Sequence, residues 1–151
     1  MDEPLTAAEV LAAVPHRPPF RFVDEILEID EDHIVAAHRF GEDADFYRGH
    51  FPGNPITPGV LLLETMAQAG VVAHGIYLLG RAAAAAAEAA LIVFTDATVE
   101  FAGIVRPGER VLVRGRKLLF RRGLLRAQVE VHREAGDLVC SATIAGMRVP
   151  R

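Results

Sequence analysis

Gly59-Val-Leu-Leu-Leu-Glu-Thr-Met-Ala-Gln-Ala-Gly-Val-Val-Ala-His-Gly-Ile-Tyr-Leu-Leu79 carries apolar side chains on nearly every face of a helical projection. A helix without a polar face is buried, either in protein or in a membrane. Its length suits a span, which takes about 20 residues. Glu64, Gln68 and His74 interrupt it, however, and polar side chains inside a bilayer are costly. The stretch therefore reads as the central helix of a soluble fold.

The flanks say what covers that helix. On its C-terminal side, residues 91–101, 109–120, 124–133 and 138–149 are rich in β-branched and apolar residues. In 124–131 the alternation is clean: Leu125, Ala127, Val129 and Val131 face one way, and Arg126, Gln128 and Glu130 face the other. Arg122-Gly123 and Ala135-Gly136 supply hairpin turns. On the N-terminal side, Thr6-Ala-Ala-Glu9 has capping-box form and opens a short helix through Val14. Strands follow over 20–29 and 33–40, around the acidic turn Asp30-Glu-Asp32. Helices do not alternate with strands, so a βαβ fold is excluded. The order fits an α+β domain, one antiparallel sheet wrapped around one long apolar helix. The alanine-rich stretch Ala82–Ala90 fits either an extension of the helix or a mobile connection.

The chain has 151 residues, which suits a single domain over 1–151. Its one cysteine, Cys140, makes no intrachain disulfide, and the acidic start lacks the basic and apolar regions of a secretory leader; both fit a cytoplasmic setting. Charge is divided unevenly. Residues 1–100 carry 5 basic and 16 acidic side chains, and residues 101–151 carry 11 basic and 4 acidic. The basic half suits an acidic partner or simply solvated strand faces. No nucleic-acid-binding signature is present. No metal-ligand spacing, phosphate loop, dinucleotide fingerprint or nucleophile elbow occurs, so no cofactor and no metal is expected.

Chemistry concentrates between the second strand and the helix. Residues 41–58 form a long loop with three prolines and three glycines, and long loops in compact domains are often functional. His50 lies in it, braced by Pro52, Pro55 and Pro58, which restrict the backbone. Glu64 sits just inside the apolar helix, where burial favours its protonated form and the helix start favours the anion. Gln68, four residues on, shares its face and is placed to orient the carboxyl group. Gly59 offers a free helix N-terminal N–H. A histidine base, a carboxylic acid and an N–H donor are the parts needed to eliminate water from a 3-hydroxy thioester. The residues alone leave other readings open: a surface loop histidine, and a carboxyl satisfied by a neighbouring donor.

Three stretches carry a resemblance. Pro15-His-Arg-Pro-Pro-Phe-Arg-Phe-Val-Asp24, Gly49-His-Phe-Pro-Gly-Asn-Pro-Ile-Thr-Pro-Gly-Val60 and Leu63-Glu-Thr-Met-Ala-Gln68 resemble the FabZ family, (3R)-hydroxyacyl-acyl carrier protein dehydratases of the hotdog fold. The resemblance spans about residues 10–149. It implies His50 and Glu64 as the catalytic pair, Gly59 as the donor to the thioester carbonyl, and Phe51, Val60 and Gln68 as residues against the substrate. It implies that the site forms between two subunits, His50 of one facing Glu64 of the other, with the acyl chain in an apolar tunnel along the central helices. It also implies a homodimer, commonly assembled as a trimer of dimers, that acts on acyl carrier protein without nucleic acid or membrane. Glutamate rather than aspartate at 64 resembles the branch that does not isomerise the double bond.

One stretch departs from the pattern. Thr98, Glu100, Ala102 and Gly103 stand where that family has basic residues, and Ile104 where it has proline. The usual carrier-protein contact is therefore in doubt, with the arginines at 106, 110, 114, 116, 121, 122 and 126 as a compensating surface and a dedicated carrier protein as one explanation. The competing readings are a hotdog thioesterase, an acyl-thioester-sensing module, and an inactive partner in a heteromeric dehydratase.

Overall fold

The computed structural model describes residues 3–85 and 90–150. Its first element, α1 (Ala7–Ala13), is capped as the sequence requires: the Thr6 hydroxyl accepts the Glu9 N–H at 3.2 Å. Six strands follow, β1 (Glu25–Ile29), β2 (His33–Arg39), β3 (Ala90–Phe101), β4 (Arg110–Arg121), β5 (Leu124–Arg133) and β6 (Leu138–Pro150). They form one antiparallel sheet in the order β1-β2-β4-β5-β6-β3. The turn before β2 is closed by Asp30, whose Oδ1 accepts the N–H groups of Asp32 and His33. Arg122 and Gly123 join β4 to β5 with positive φ angles of 52° and 80°, as a tight primed turn requires.

The central helix runs from Gly59 to Leu79. It comprises α2 (Gly59–Ala67), a π-helical segment (Gln68–Ala73) and α3 (His74–Leu79). Although apolar enough to cross a membrane by length and composition, it is largely buried inside the fold. Leu62, Met66, Ala69 and Val71 pack on the inward residues Val113, Leu125, Ala127, Val129, Val131 and Ile144 of the sheet. The single sheet wrapped on one helix is the hotdog arrangement that the resemblance implies.

Helix and sheet touch through glycines. A methyl group on Gly70 would meet Cγ2 of Val129 at 2.6 Å, one on Gly115 would meet Cα of Gly70 at 3.1 Å, and one on Gly146 would meet Cγ1 of Val71 at 2.6 Å. The wide π turn falls at this closest approach. Two polar side chains are also enclosed by it. His74 Nε2 donates to the Asp30 carbonyl at 2.8 Å, and Gln68 is fully buried.

One sequence expectation is corrected, and one point that the sequence leaves open is decided for residues 81–85. The first strand begins at Glu25, not at residue 20: Phe22 gives its N–H to the Gln68 side chain at 2.7 Å, so this segment bonds to the helix before Asp24 joins Ala37 at 2.8 Å. The alanine-rich stretch does not extend the helix, because Gly80, with φ 89°, ends it. A separate turn, α4 (Arg81–Ala85), follows, held by Arg81 to Glu9 at 2.6 Å; residues 86–89 lie outside the described residues.

Gly70→Ala tests the close approach. Overpacking of this kind costs about 1–3 kcal/mol, so the urea midpoint should fall well below that of Gly41→Ala, where a methyl group meets nothing within 4 Å.

Candidate active site

The first turns of α2 present Glu64 toward a pocket of about 230 Å³ lined also by His16, Ala67, Val71, Val72, Ile92, Val93, Phe94 and Gly146. The Glu64 side chain keeps 17% of its surface exposed, so it lines a cleft rather than lying enclosed in the core as the helix pattern suggests. Gln68 does what the four-residue spacing predicts. Its Nε2 donates to Glu64 Oε1 at 3.1 Å and to the Phe20 carbonyl at 2.9 Å, while its Oε1 accepts the Phe22 N–H. Both amide hydrogens are thereby committed, and the carboxyl group is held through Oε1. Oε2 makes no bond to Gln68.

His50 is set by its loop. A 3-10 turn (Asp45–Arg48) leads into it, His50 N–H bonds the Phe46 carbonyl at 3.0 Å, and Ile56 N–H returns to the His50 carbonyl at 2.9 Å. Thr57 ties the loop to Val105 at 2.9 Å and to the Tyr47 hydroxyl at 2.5 Å. The imidazole stacks on Phe51 with centroids 4.1 Å apart. Its Nδ1 lies 2.8 Å from the Ile56 carbonyl. A carbonyl only accepts, so Nδ1 carries the hydrogen and Nε2 keeps a free lone pair. That is the tautomer a base needs.

Within one chain His50 is not among the residues lining the pocket of Glu64. Gly59 opens α2, and its N–H belongs to the first helical turn, which has no intrahelical acceptor. The Phe101 ring covers Gly59 so closely that a methyl group there would meet it at 3.0 Å. Val60 is 72% exposed and Phe51 half-exposed, and neither is among the residues lining the Glu64 pocket. His16 lies within the Pro15–Asp24 motif, which is a sequence signal for the site; Phe101 lies in the departing stretch and carries no such signal.

The arginines divide. Arg110 pairs with Glu134 and Glu25, and Arg126 pairs with Asp96, so these are not available as a compensating basic surface. Arg114, Arg116, Arg121 and Arg122 are exposed. Cys140 is buried against Met66, and burial pushes its thiol up to about 12, which leaves it unreactive at neutral pH. Among the described residues no cluster of metal-ligating side chains occurs.

A hotdog sheet, a base-ready histidine loop and an oriented helix carboxyl group define the class of protein. Comparison with known proteins agrees. The family model described as the FabA-like domain matches residues 14–142. The 3-hydroxyacyl-[acyl-carrier-protein] dehydratase FabZ of Thermus thermophilus is 39% identical over 140 residues, covering 90% of this chain and 92% of that protein. The dehydratase heterocomplex ApeI:P of Xenorhabdus doucetiae has a similar fold, with a TM-score of 0.72 at 14% identity over 99% of this chain and 93% of that one. A mutant thioesterase from Pseudomonas aeruginosa matches at 0.70 and 15% identity, over 99% and 97%. The chain belongs to the FabA-like family, among its FabZ-type hotdog dehydratases.

Gln68→Leu leaves the Phe22 N–H and the Phe20 carbonyl without their partner. The expected loss is roughly 1–3 kcal/mol of unfolding free energy, read by urea titration.

Proposed function

We propose that the protein removes water from (3R)-hydroxyacyl thioesters on acyl carrier protein to give trans-2-enoyl thioesters, with His50 and Glu64 as the catalytic pair. The Nδ1 contact of His50 to Ile56 is the observation that carries this reading, because it leaves Nε2 free to take a proton. The steps balance without a cofactor. The Gly59 N–H polarises the thioester carbonyl and acidifies C2. His50 Nε2 removes a C2 proton, the C2–C3 double bond forms as the C3–O bond breaks, and Glu64 Oε2 gives its proton to the departing hydroxyl. Water leaves, the thioester bond is untouched, and transfer of a proton from His50 back to Glu64 resets the site. The T. thermophilus relative carries this activity in its name.

The separation of His50 from the Glu64 pocket within one chain supports a shared site. β3 ends the sheet as a 12-residue edge, with Leu91, Val93, Phe94 and Phe101 exposed. A long apolar edge invites another strand. We read it as the seam of a homodimer in which His50 of one subunit meets Glu64 of the other, and such dimers as the units of a possible trimer of dimers. Val72 and Ile92 line both the Glu64 pocket and a second apolar recess with Pro15, Ile76 and Leu79, so the two lie end to end along the helix and suit an acyl chain. Phe51 and Val60 then reach substrate at the neighbouring subunit's site. The setting is the cytoplasm, and the partner is an acidic carrier protein that meets the exposed arginines.

Mass spectrometry of 3-hydroxyacyl-carrier protein, incubated with wild type, His50→Ala and Glu64→Gln, tests the chemistry. A loss of one water by wild type, slowed about 10²-fold or more in both variants, is expected. Release of free carrier thiol would instead indicate a thioesterase, and an unchanged mass would indicate a partner subunit. The seam is tested separately by Thr95→Pro. Thr95 sits at the bulge between Phe94 and Asp96, outside the ladder to β6, where proline is tolerated but blocks outward pairing. Sedimentation velocity should show monomers, and dehydration should be lost with them.

A further inference from the structure

The pocket holds a second imidazole that the mechanism above does not use. His16 Nε2 lies 3.6 Å from Glu64 Oε1, the same oxygen that receives Gln68. This is a few tenths of an ångström beyond a hydrogen bond, and catalytic hydrogen bonds commonly tighten when substrate is bound. The ring is not a loose surface group: its side chain is 23% exposed, and its Nδ1 is buried with no partner among the described residues. The segment carrying it is pinned on both sides. Arg17 Nη1 bonds the carbonyls of Val14 at 2.5 Å and His16 at 2.9 Å, and Arg21 Nη2 bonds the Leu11 carbonyl at 2.9 Å. Farther along, Gln68 clamps the same segment at Phe20 and Phe22.

We infer that His16 is a positioning residue, which with Gln68 fixes Glu64 by its Oε1 so that Oε2 alone faces the substrate hydroxyl. The inference rests on the role proposed for Glu64. A neutral imidazole suits the task, because its Nε2–H donates to Oε1 without placing a full charge beside the acid. Burial pushes His16 below its ordinary value of 6.5, against the pull of Glu64, and the Arg21 charge lowers it further. The charged groups that face His16 are Glu64 on α2 and Arg21 on its own segment; the rest of the pocket lining, from the central helix, β3 and β6, is Ala67, Val71, Val72, Ile92, Val93, Phe94 and Gly146, all without charge. Once the His16 contact tightens to a hydrogen bond, Oε1 receives two donors, rotation of the carboxyl group would break both at once, and a single oxygen is left for proton delivery.

The experiment compares kcat, KM and pH profiles of wild type, His16→Ala, His16→Gln, Glu64→Gln and the double variant His16→Ala/Glu64→Gln. A contact realised only in the transition state supports kcat without affecting substrate binding, so His16→Ala should lower kcat about 10-fold with KM nearly unchanged. Removing a donor to the carboxylate disfavours the anion, so the limb of the profile set by Glu64 should move to higher pH. His16→Gln, which restores an N–H near the Nε2 position, should recover most of kcat and return the limb. In the Glu64→Gln background, His16→Ala should add little, since positioning acts through Glu64. An unshifted profile, or a His16→Gln variant as slow as His16→Ala while both fold normally by circular dichroism, would overturn the inference. Full activity of Glu64→Gln would instead remove the proposed acid, and is distinguishable because it requires no His16 variant.

Discussion

The backbone of Gly70 against the backbone of Gly115 sets the rest of the molecule. Gly115 is opposite Val129 in the ladder between β4 and β5, and Val129 is the side chain that any substituent on Gly70 would strike. With no side chain between them, helix and sheet approach until main chain meets main chain, and the sheet curls around the helix instead of lying flat upon it. Ala69, Ala73 and Gly146 keep the same approach open along the helix. Interiors packed at this density are stiff, so these close contacts resist rotation of the helix about its axis. The orientation so held puts Met66 and Leu62 in the core and leaves Glu64 at the margin.

Gln68 links this mechanical constraint to Glu64. It sits at the start of the π segment, fully buried. Its amide joins three things: the extended segment at Phe20 and Phe22, the helix, and the carboxyl group of Glu64. Burial makes each of these hydrogen bonds obligatory, because an unpaired group there would bear its full desolvation penalty. The N-terminal segment is therefore locked to the helix by the same side chain that orients Glu64. On the role proposed for Glu64, one residue would serve both stability and function, and His16 enters the pocket because the segment it belongs to is held there.

In the proposed shared site each chain would supply one half. Nδ1 of His50 is held by the Ile56 carbonyl and Oε1 of Glu64 by Gln68, both contacts lying within one chain. Preorganisation of this kind is what electrostatic catalysis needs, since donors and acceptors already in place cost no rearrangement during the reaction. The exposed β3 edge, continuous with the pocket wall through Val93 and Phe94, is the element on which completion would depend.

Much of this was legible in the chain. The apolar run from Gly59 to Leu79 gave the central helix, the period-two alternation of 124–131 gave a half-buried strand, and the four-residue spacing of Glu64 and Gln68 gave a shared face, because each is a property of local backbone geometry. Thr6 and Gly123 marked an element start and a turn for the same reason. Other features depended on residues far apart in sequence. That Phe22 bonds to Gln68 rather than to a strand, that Gly70 needs its hydrogen because Val129 stands opposite, that Arg110 and Arg126 are already paired, and that His16 faces Glu64 all follow from one helix rotation inside one sheet register. Local pattern determined which elements form and which residues carry reactive groups; long-range packing decided which of those groups meet.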